Sequence, residues 1–280
     1  MEKIPELGDG QQTVYFKSAH EWSFLRTPTS FSTTGPTVPL VVLCHGNSGS
    51  VSKDSYVVST TDTLDDDQKS IFVGTLVRAG IAVAGSNAHG SAWGRPDSVF
   101  AYAALVEMLI KQTNINPGKI GMLGGGLGGT ALWNAITGPL AGKIGAVALQ
   151  QATLNFTSVI KRKKFKGNLL TAWGIPEDAD DDLAIASLAQ EDPLHRARLL
   201  ISQATDPNSH IPRIGFFHGD QDENMDYAEN VIALANILKA LGIDCSMYTY
   251  EGVGHATYAL GKPVAEDITN FFLAVFNPSR

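Results

Sequence analysis

Four short stretches of the 280-residue chain place chemically useful groups beside strand-like segments. Leu43–Gly49 runs from such a segment into a glycine-spaced turn, which leaves backbone N–H groups free to hold an oxyanion. Ile120–Thr130 is a strand-like segment followed by a sharp glycine turn and a helix. Asp222 comes just past a later strand-like segment, and His255 lies in a loop past the last one. A carboxylate and an imidazole are therefore available for proton transfer.

Strand-like and helix-like segments alternate along most of the chain, which is typical of a parallel sheet covered by helices on both faces. Runs such as Leu40–Cys44 are apolar without alternation, as expected for strands buried on both faces. In such a sheet, ligands bind at the carboxyl ends of the strands, where the four stretches would lie. The predicted strands are Thr13–Lys17, Leu40–His45, Ile81–Ser86, Lys119–Gly124, Ile144–Leu149, Ile214–His218 and Cys245–Glu251. The predicted helices are Asp66–Ala79, Asp97–Thr113, Leu127–Thr137, Asp226–Leu241 and Pro263–Phe276.

The alternation lapses between Ala152 and Pro212, where the sequence is helical in character but highly charged. A basic run, Lys161–Lys166, and an acidic run, Glu177–Asp182, lie in this segment. The segment is too short and too polar for a sizeable core of its own. We therefore expect a single α/β domain over residues 1–280, with residues 152–212 inserted as a helical cap over one edge of the sheet.

The composition of the chain excludes several classes of protein. With 44% hydrophobic and 18% charged residues, the chain can bury a large core, which excludes a mostly disordered or fibrous protein. The formal charge, 21 − 28 = −7, argues against a nucleic-acid partner, because phosphate binding needs a concentrated basic face. No apolar run reaches the roughly 18 residues of a membrane span, and the start lacks a signal-peptide pattern. These features predict a soluble, cytoplasmic protein without a membrane partner.

Cysteine use and motif spacing bear on cofactors. Cys44 and Cys245 each lie in an apolar strand-like run, so we interpret them as buried thiols in a reducing compartment rather than as a disulfide. No histidine–carboxylate cluster with metal-ligand spacing occurs near the four stretches, and neither a metal nor another cofactor is expected. Gly124–Gly129 matches the dinucleotide-binding pattern, but the next strand ends in Gln150 and Gln151 without the acidic residue that would confirm it.

Taken together, the four stretches resemble the α/β-hydrolase family, over about residues 40 to 276. In that family the chain order is nucleophile, acid, histidine, and the nucleophile lies in Gly-x-Ser-x-Gly between a strand and a helix. This order places the nucleophile position at Gly126, the acid at Asp222 and the histidine at His255. Gly124–Gly128 fits the motif except that glycine occupies the serine position.

The resemblance implies a role for each group around Gly126. His255 would take the proton of the nucleophile, and Asp222 would orient the imidazole and stabilise the imidazolium. The N–H groups of Asn47 and Leu127 would form the oxyanion hole, helped by the positive end of the helix that follows the turn.

Further residues are assigned from their positions. Asp222 is preferred to Asp220 and Asp226 as the acid, because it fits the family's His-Gly-x-x-Asp spacing. Gly85–Gly90, followed by Trp93, is similar to the corresponding segment of small esterases and peptidase-like members. The residues expected to contact a small ester-like substrate are Ser48, Trp173 and Tyr258. The residues interpreted as structural are His45 in the turn, His89 in its loop, Cys44, Trp93 and Trp133.

Glycine at position 126 has a definite physical meaning. The nucleophile turn forces its central residue to positive φ, at roughly 1–3 kcal/mol for a residue with a side chain, whereas glycine adopts that region freely. We therefore expect the turn to persist while the hydroxyl is lost. Without a nucleophile there is no acyl-enzyme, and loss of the nucleophile typically lowers turnover by about 10⁶-fold.

The sequence thus predicts an esterase-like serine hydrolase, acting on acyl esters or related carboxyl derivatives, that is nearly inactive as the chain stands. The partners of the missing oxygen are all retained, which favours an engineered or isolated substitution. Two alternatives stay open: a natural ligand-binding protein without turnover, and a lyase or oxygenase that uses His255 and Asp222 as a general-base pair.

Overall fold

The structure is a computed structural model that describes residues 2–47, 49–57, 71–203 and 210–278. The strands in these ranges are β1 (Thr13–Ser18), β2 (Glu21–Arg26), β3 (Val38–Cys44), β4 (Ser50–Val51), β5 (Tyr56–Val57), β6 (Ala82–Ser86), β7 (Ile115–Gly125), β8 (Ala146–Gln150), β9 (Arg213–Gly219) and β10 (Cys245–Tyr250). The helices are α1 (Ile71–Arg78), α2 (Pro96–Gln112), α3 (Leu127–Ile136), α4 (Phe156–Arg162), α5 (Lys166–Ala172), α6 (Asp181–Leu188), α7 (Pro193–Arg196), α8 (Leu199–Gln203), α9 (Ala233–Ala240) and α10 (Lys262–Phe276). A π-helical turn, Ala228–Ile232, leads into α9, and a 3₁₀ turn, Thr257–Leu260, precedes α10.

The main sheet has eight strands in the order β1-β2-β6-β3-β7-β8-β9-β10. From β6 to β10 all neighbours in the sheet are parallel, whereas β1 and β2 join this block in antiparallel fashion. The mostly parallel sheet expected from the alternation of segments is confirmed. The carboxyl ends of β3, β7, β8, β9 and β10 therefore lie along the same edge of the sheet.

Three strands are absent from the predicted set: β2, which extends the main sheet, and β4 and β5, which form a separate two-stranded sheet. β2 pairs with β1 through a two-residue turn formed by Ala19 and His20, both at positive φ (51° and 67°). Such hairpin turns are usually built from glycine or asparagine, and neither residue occurs here, so the sequence carries no hairpin signal. The predicted helix Asp66–Ala79 begins at Ile71 in the described part of the chain, and its first five residues lie outside the described residues.

The core lies on both faces of the sheet, and the central strand β3 shows why its sequence does not alternate. Leu40 and Val42 belong to the cluster formed with α2, α3 and α9. Val41 and Leu43 belong to the opposite cluster, formed with α1 and α10. Because each face needs apolar residues, the strand is apolar at every position.

The segment after β8 forms the helices α4 to α8, as its helical character predicts. Its apolar cluster includes Phe156 and Leu170 and also takes in Leu127 and Trp93, so these helices pack on the start of α3. The basic run is paired with acids: Lys163 and Lys166 with Asp181, and Arg162 with Asp226 and Glu229. Residues 204–209 of the predicted cap lie outside the described residues, and its assignment as an insertion in one domain stays a prediction.

Among the helices described here, none combines the length and the apolar character needed to cross a bilayer.

Candidate functional site

Gly126 lies in a tight turn between β7 and α3. Its φ of 52° and ψ of −126° are the positive-φ conformation that the sequence predicts for this position. Its N–H donates to the carbonyl of Gln150 at 3.2 Å, and its own carbonyl accepts from the N–H groups of Gly129 (3.0 Å) and Thr153 (2.8 Å). The turn is thus held by the neighbouring strand β8 and the chain that follows it, and not by a side chain at position 126.

The glycines around the turn occur at their positions for different physical reasons. A Cβ on Gly128 would lie 2.0 Å from the carbonyl oxygen of Cys44, and one on Gly129 would lie 2.3 Å from Cβ of Ala152. These two glycines are needed because α3 approaches the adjoining backbone too closely for a side chain. A Cβ on Gly126 would have only the Cα of Gly46 nearby, at 4.0 Å, so position 126 has room for a side chain.

These contacts predict opposite tolerance at two nearby glycines. Gly128→Ala places Cβ inside the contact distance of a backbone carbonyl and is expected to destabilise the fold by more than about 3 kcal/mol. Gly126→Ala and Gly126→Ser introduce only the positive-φ strain, roughly 1–3 kcal/mol, and lower Tm by roughly 2–4 °C per kcal/mol. Thermal unfolding of the three variants measures both effects. An unchanged or higher Tm for Gly126→Ser would contradict the assignment of a strained turn.

The two predicted oxyanion donors lie beside this turn. Within the described ranges, no acceptor is found for the N–H of Asn47 or the N–H of Leu127. The hydroxyl of Ser91 lies 3.0 Å from both the carbonyl oxygen and Oδ1 of Asn47, and so ties this loop to the segment after β6. Ser48, a predicted substrate contact, lies outside the described residues.

Asp222 and His255 meet at the carboxyl ends of β9 and β10. Nδ1 of His255 lies 2.8 Å from Oδ2 of Asp222. A carboxylate oxygen only accepts, so Nδ1 carries the proton and Nε2 of the neutral ring keeps its lone pair. Oδ1 of Asp222 accepts from the N–H groups of Asn224 (2.8 Å) and Met225 (2.9 Å). Both carboxylate oxygens are therefore engaged.

A second imidazole reaches the same carboxylate. Nε2 of the buried His218 lies 2.9 Å from Oδ2 of Asp222 and 2.9 Å from the carbonyl oxygen of Met225. Burial acts to raise the pKa of Asp222, but the hydrogen bonds of His218 and His255 and the charge of His255 hold that pKa well below its ordinary value. Asp222 is thus held as a carboxylate.

The rival acids are engaged elsewhere. Oδ1 of Asp220 accepts from the N–H of Gly252 at 2.8 Å. Asp226 pairs with Arg162, and its Oδ1 accepts from the N–H of Glu229 at 2.9 Å. Of the three candidate carboxylates, Asp222 is the one in contact with His255.

Sequence reasoning missed two residues that hold this pair. His218 is the histidine of the His-Gly-x-x-Asp run that ends in Asp222, so its position in this run could have indicated a contact with Asp222. Oε1 of Gln151 accepts from both the N–H (3.0 Å) and the hydroxyl (2.6 Å) of Thr257, two residues after His255. Gln151 could have been found as a polar residue directly after the apolar strand β8. It is buried and anchors the loop that carries His255.

A cavity of about 420 Å³ opens over the turn, and His255, Gly126, Asn47 and Leu127 line it together with Tyr258. The side chains that form its apolar wall are Leu43, Tyr56, Phe72, Leu123, Phe165 and Met225. Its polar wall includes Gln150, Gln151 and Thr153.

Trp173, predicted as a substrate contact, does not line this cavity. Its ring packs edge-on against Phe156, with ring centroids 6.3 Å apart, and its Nε1 donates to the carbonyl of Trp93 at 3.3 Å. Trp93 itself lines the cavity and is buried. The structure therefore gives Trp173 a packing position behind the wall.

His45 and Cys44 line the cavity from the end of β3. His45 is buried, and its two ring nitrogens face the carbonyl oxygens of Gly46 (2.9 Å) and Asn87 (3.0 Å). Burial raises the pKa of the Cys44 thiol far above its usual range, so this thiol is an inert neutral group and not a replacement nucleophile. No cluster of metal-ligating side chains occurs in the part of the chain that the structure describes.

Comparison with known proteins bears on the fold. The sequence profile of the prolyl oligopeptidase family matches residues 75–279. Among curated proteins, no sequence matches the chain. A puromycin-hydrolyzing peptidase of Mycobacterium tuberculosis is similar in structure, with a TM-score of 0.70 and 15% identity over 98% of this chain and 40% of that one.

Two further solved structures are similar. The acylaminoacyl peptidase of Pyrococcus horikoshii has a TM-score of 0.70 and 14% identity, over 99% of this chain and 43% of that one. Dipeptidyl peptidase 4 of Porphyromonas gingivalis has a TM-score of 0.66 and 14% identity, over 95% of this chain and 36% of that one. The chain thus spans about 40% of the length of these proteins. The predicted α/β-hydrolase fold is confirmed.

Proposed function

The chain belongs to the prolyl oligopeptidase family, and from this premise we propose that it is a serine hydrolase of acyl esters or related carboxyl derivatives with Gly126 at the nucleophile position. The family has a serine-peptidase-type α/β-hydrolase scaffold. The likeness to peptidases adds small acyl amides to the esters expected from the sequence. As it stands, the chain is expected to be nearly inactive, because no nucleophile is present at the turn.

The observation that carries the proposal is the pairing of His255 with Asp222 at 2.8 Å on the wall of the cavity that Gly126 also lines. A serine oxygen at position 126 would lie in that cavity, where Nε2 of His255 would take its proton. The N–H groups of Asn47 and Leu127 would receive the oxyanion, and the leaving group would receive the proton back from Nε2.

The retained partners of the missing oxygen favour a single substitution over gradual loss of the site. A serine codon at position 126 of the natural gene would identify an engineered or isolated change. A glycine codon would favour the natural binding protein. If the chain instead works as a general-base lyase or oxygenase, replacing His255 in the unaltered chain must abolish that activity.

The proposal is tested with a fluorophosphonate probe, which labels only an activated serine. We expect Gly126→Ser to be labelled, the unaltered chain to stay unlabelled, and the double variant Gly126→Ser/His255→Gln to lose most of the labelling. The matched control is Gly126→Ser/His195→Gln, which changes an exposed histidine of α7 and should be labelled like Gly126→Ser. A folded Gly126→Ser protein that resists the probe would overturn the proposal.

A further inference from the structure

We infer that the chain with glycine at position 126 is a receptor for monocarboxylates with an apolar body, which bind in the cavity without being turned over. One carboxylate oxygen accepts from the N–H groups of Asn47 and Leu127. The other lies over Gly126 and accepts from Nε2 of a protonated His255. The inference rests on the proposed function for its oxyanion donors, and it goes beyond it by assigning a ligand to the chain as it stands.

The charges of the cavity wall favour an anion. Among the described lining residues there is no aspartate or glutamate, and no lysine or arginine. The lining groups that can carry positive charge are two imidazoles, His45 and His255. An ammonium ligand would find no carboxylate on this wall, whereas an anion faces the imidazoles and the amino-terminal end of α3.

The space above Gly126 decides which anion fits. A Cβ at this position would have only the Cα of Gly46 within 4.0 Å, so the space that a Cβ would occupy is open to the ligand. A carboxylate has two oxygens, and one of them can use the open space beside Gly126. A serine at position 126 would compete with this second oxygen for both the space and Nε2 of His255.

Binding is coupled to a proton. Nδ1 of His255 already donates to Asp222, so His255 can donate to the ligand only when Nε2 also takes a proton from solvent. Asp222 stabilises the resulting imidazolium. The complex therefore contains one more proton than the separate partners when the free imidazole is neutral. Besides His255, the titratable groups that line this space are His45, Cys44, Tyr56 and Tyr258, and Asp222 contacts the His255 ring from outside the lining.

The rest of the cavity selects an apolar body. Leu43, Phe72 and Leu123 lie on its wall, and its volume of about 420 Å³ is in the range of small-molecule sites. A chain of several carbons can fill this space while the carboxylate lies at the turn. Hexanoate is therefore a suitable probe, with hexanamide as its neutral counterpart and hexylamine as its cationic one.

The test is titration calorimetry of the unaltered chain with the three probes, in two buffers of different ionisation enthalpy at pH 8. Hexanoate is expected to bind at least 10-fold more tightly than hexanamide, with no detectable binding of hexylamine. The dependence on buffer should show uptake of about one proton per hexanoate. Gly126→Ser and His255→Gln should each weaken hexanoate binding by at least 10-fold, and His255→Gln should abolish the proton uptake.

The matched control His195→Gln should bind hexanoate like the unaltered chain, and thermal unfolding shows whether each variant is folded. Failure of hexanoate to bind, equal binding of hexanamide, or equal binding by folded Gly126→Ser would overturn the inference. Fluorophosphonate labelling of Gly126→Ser separates this failure from failure of the proposed function. If Gly126→Ser is labelled but the unaltered chain does not bind hexanoate, the proposed function stands and the receptor inference is overturned. If the unaltered chain binds hexanoate but Gly126→Ser is not labelled, the receptor inference stands and the proposed function is overturned.

Discussion

Gly126→Ser is expected to raise kcat/KM for p-nitrophenyl butyrate by roughly 10⁴- to 10⁶-fold over the unaltered chain. The new Cβ enters open space in a turn that already has the required positive φ, and the site faces the same cavity as His255. The substitution therefore supplies a nucleophile beside the proposed base His255, the proposed acid Asp222 and the proposed oxyanion donors. Initial rates across a range of ester concentrations measure the change.

Two variants separate nucleophilic catalysis from other effects of the substitution. Gly126→Ala adds the Cβ and the backbone strain without the oxygen and should leave kcat/KM at the level of the unaltered chain. Gly126→Ser/His255→Gln retains the oxygen without its base and should fall back by roughly 10⁴-fold or more. A gain of similar size in Gly126→Ala would show that the activity does not depend on a serine nucleophile.

In the Gly126→Ser background, Asp222→Asn is expected to lower kcat by about 10⁴-fold. The side-chain amide can donate to Nδ1 of His255, which moves the ring proton to Nε2, where it blocks proton transfer from the serine. The matched control is Asp226→Asn, because Asp226 pairs with Arg162 and does not contact His255. We expect this control to change kcat by less than about 3-fold. Equal effects of the two substitutions would contradict the role of Asp222.

Asp222→Asn is also expected to change how the stability of the fold depends on pH. The pKa of Asp222 is held well below its ordinary value in the folded chain, although burial opposes this, because His218 and His255 bond to the carboxylate. The carboxylate therefore stabilises the fold at pH values above the ordinary aspartate pKa, about 4, and this contribution is lost as the pH falls below it. The difference in Tm between Asp222→Asn and the parent should be largest near neutral pH and should shrink below about pH 4.

Local features of the fold could be predicted from the sequence because they depend on neighbouring residues. The strand β3 follows from an unbroken apolar run, and the turn at Gly126 follows from the glycines between β7 and α3. The hairpin of β1 and β2 could not be predicted, because Ala19 and His20 adopt positive φ without a residue type that favours it. Tertiary pairing of β2 with β6 stabilises that turn.

The candidate site likewise has features that the sequence predicts and features that depend on tertiary packing. The order of Gly126, Asp222 and His255 along the chain predicts which residues belong to the site. The 2.8 Å contact between Asp222 and His255 exists because β9 and β10 are adjacent parallel strands. The placement of Trp173 behind the cavity wall depends on how α5 packs on Phe156, which no local pattern encodes.

The sequence by itself determined that position 126 lacks an oxygen, because residue identity and local motif are enough for that statement. The tertiary structure alone decided that the space above Gly126 is open, that His45 faces two carbonyl oxygens, and that Gln151 anchors the histidine loop. Those contacts join residues that are up to 106 positions apart. They depend on the packing of whole strands and helices, whereas backbone preference depends on each residue and its neighbours.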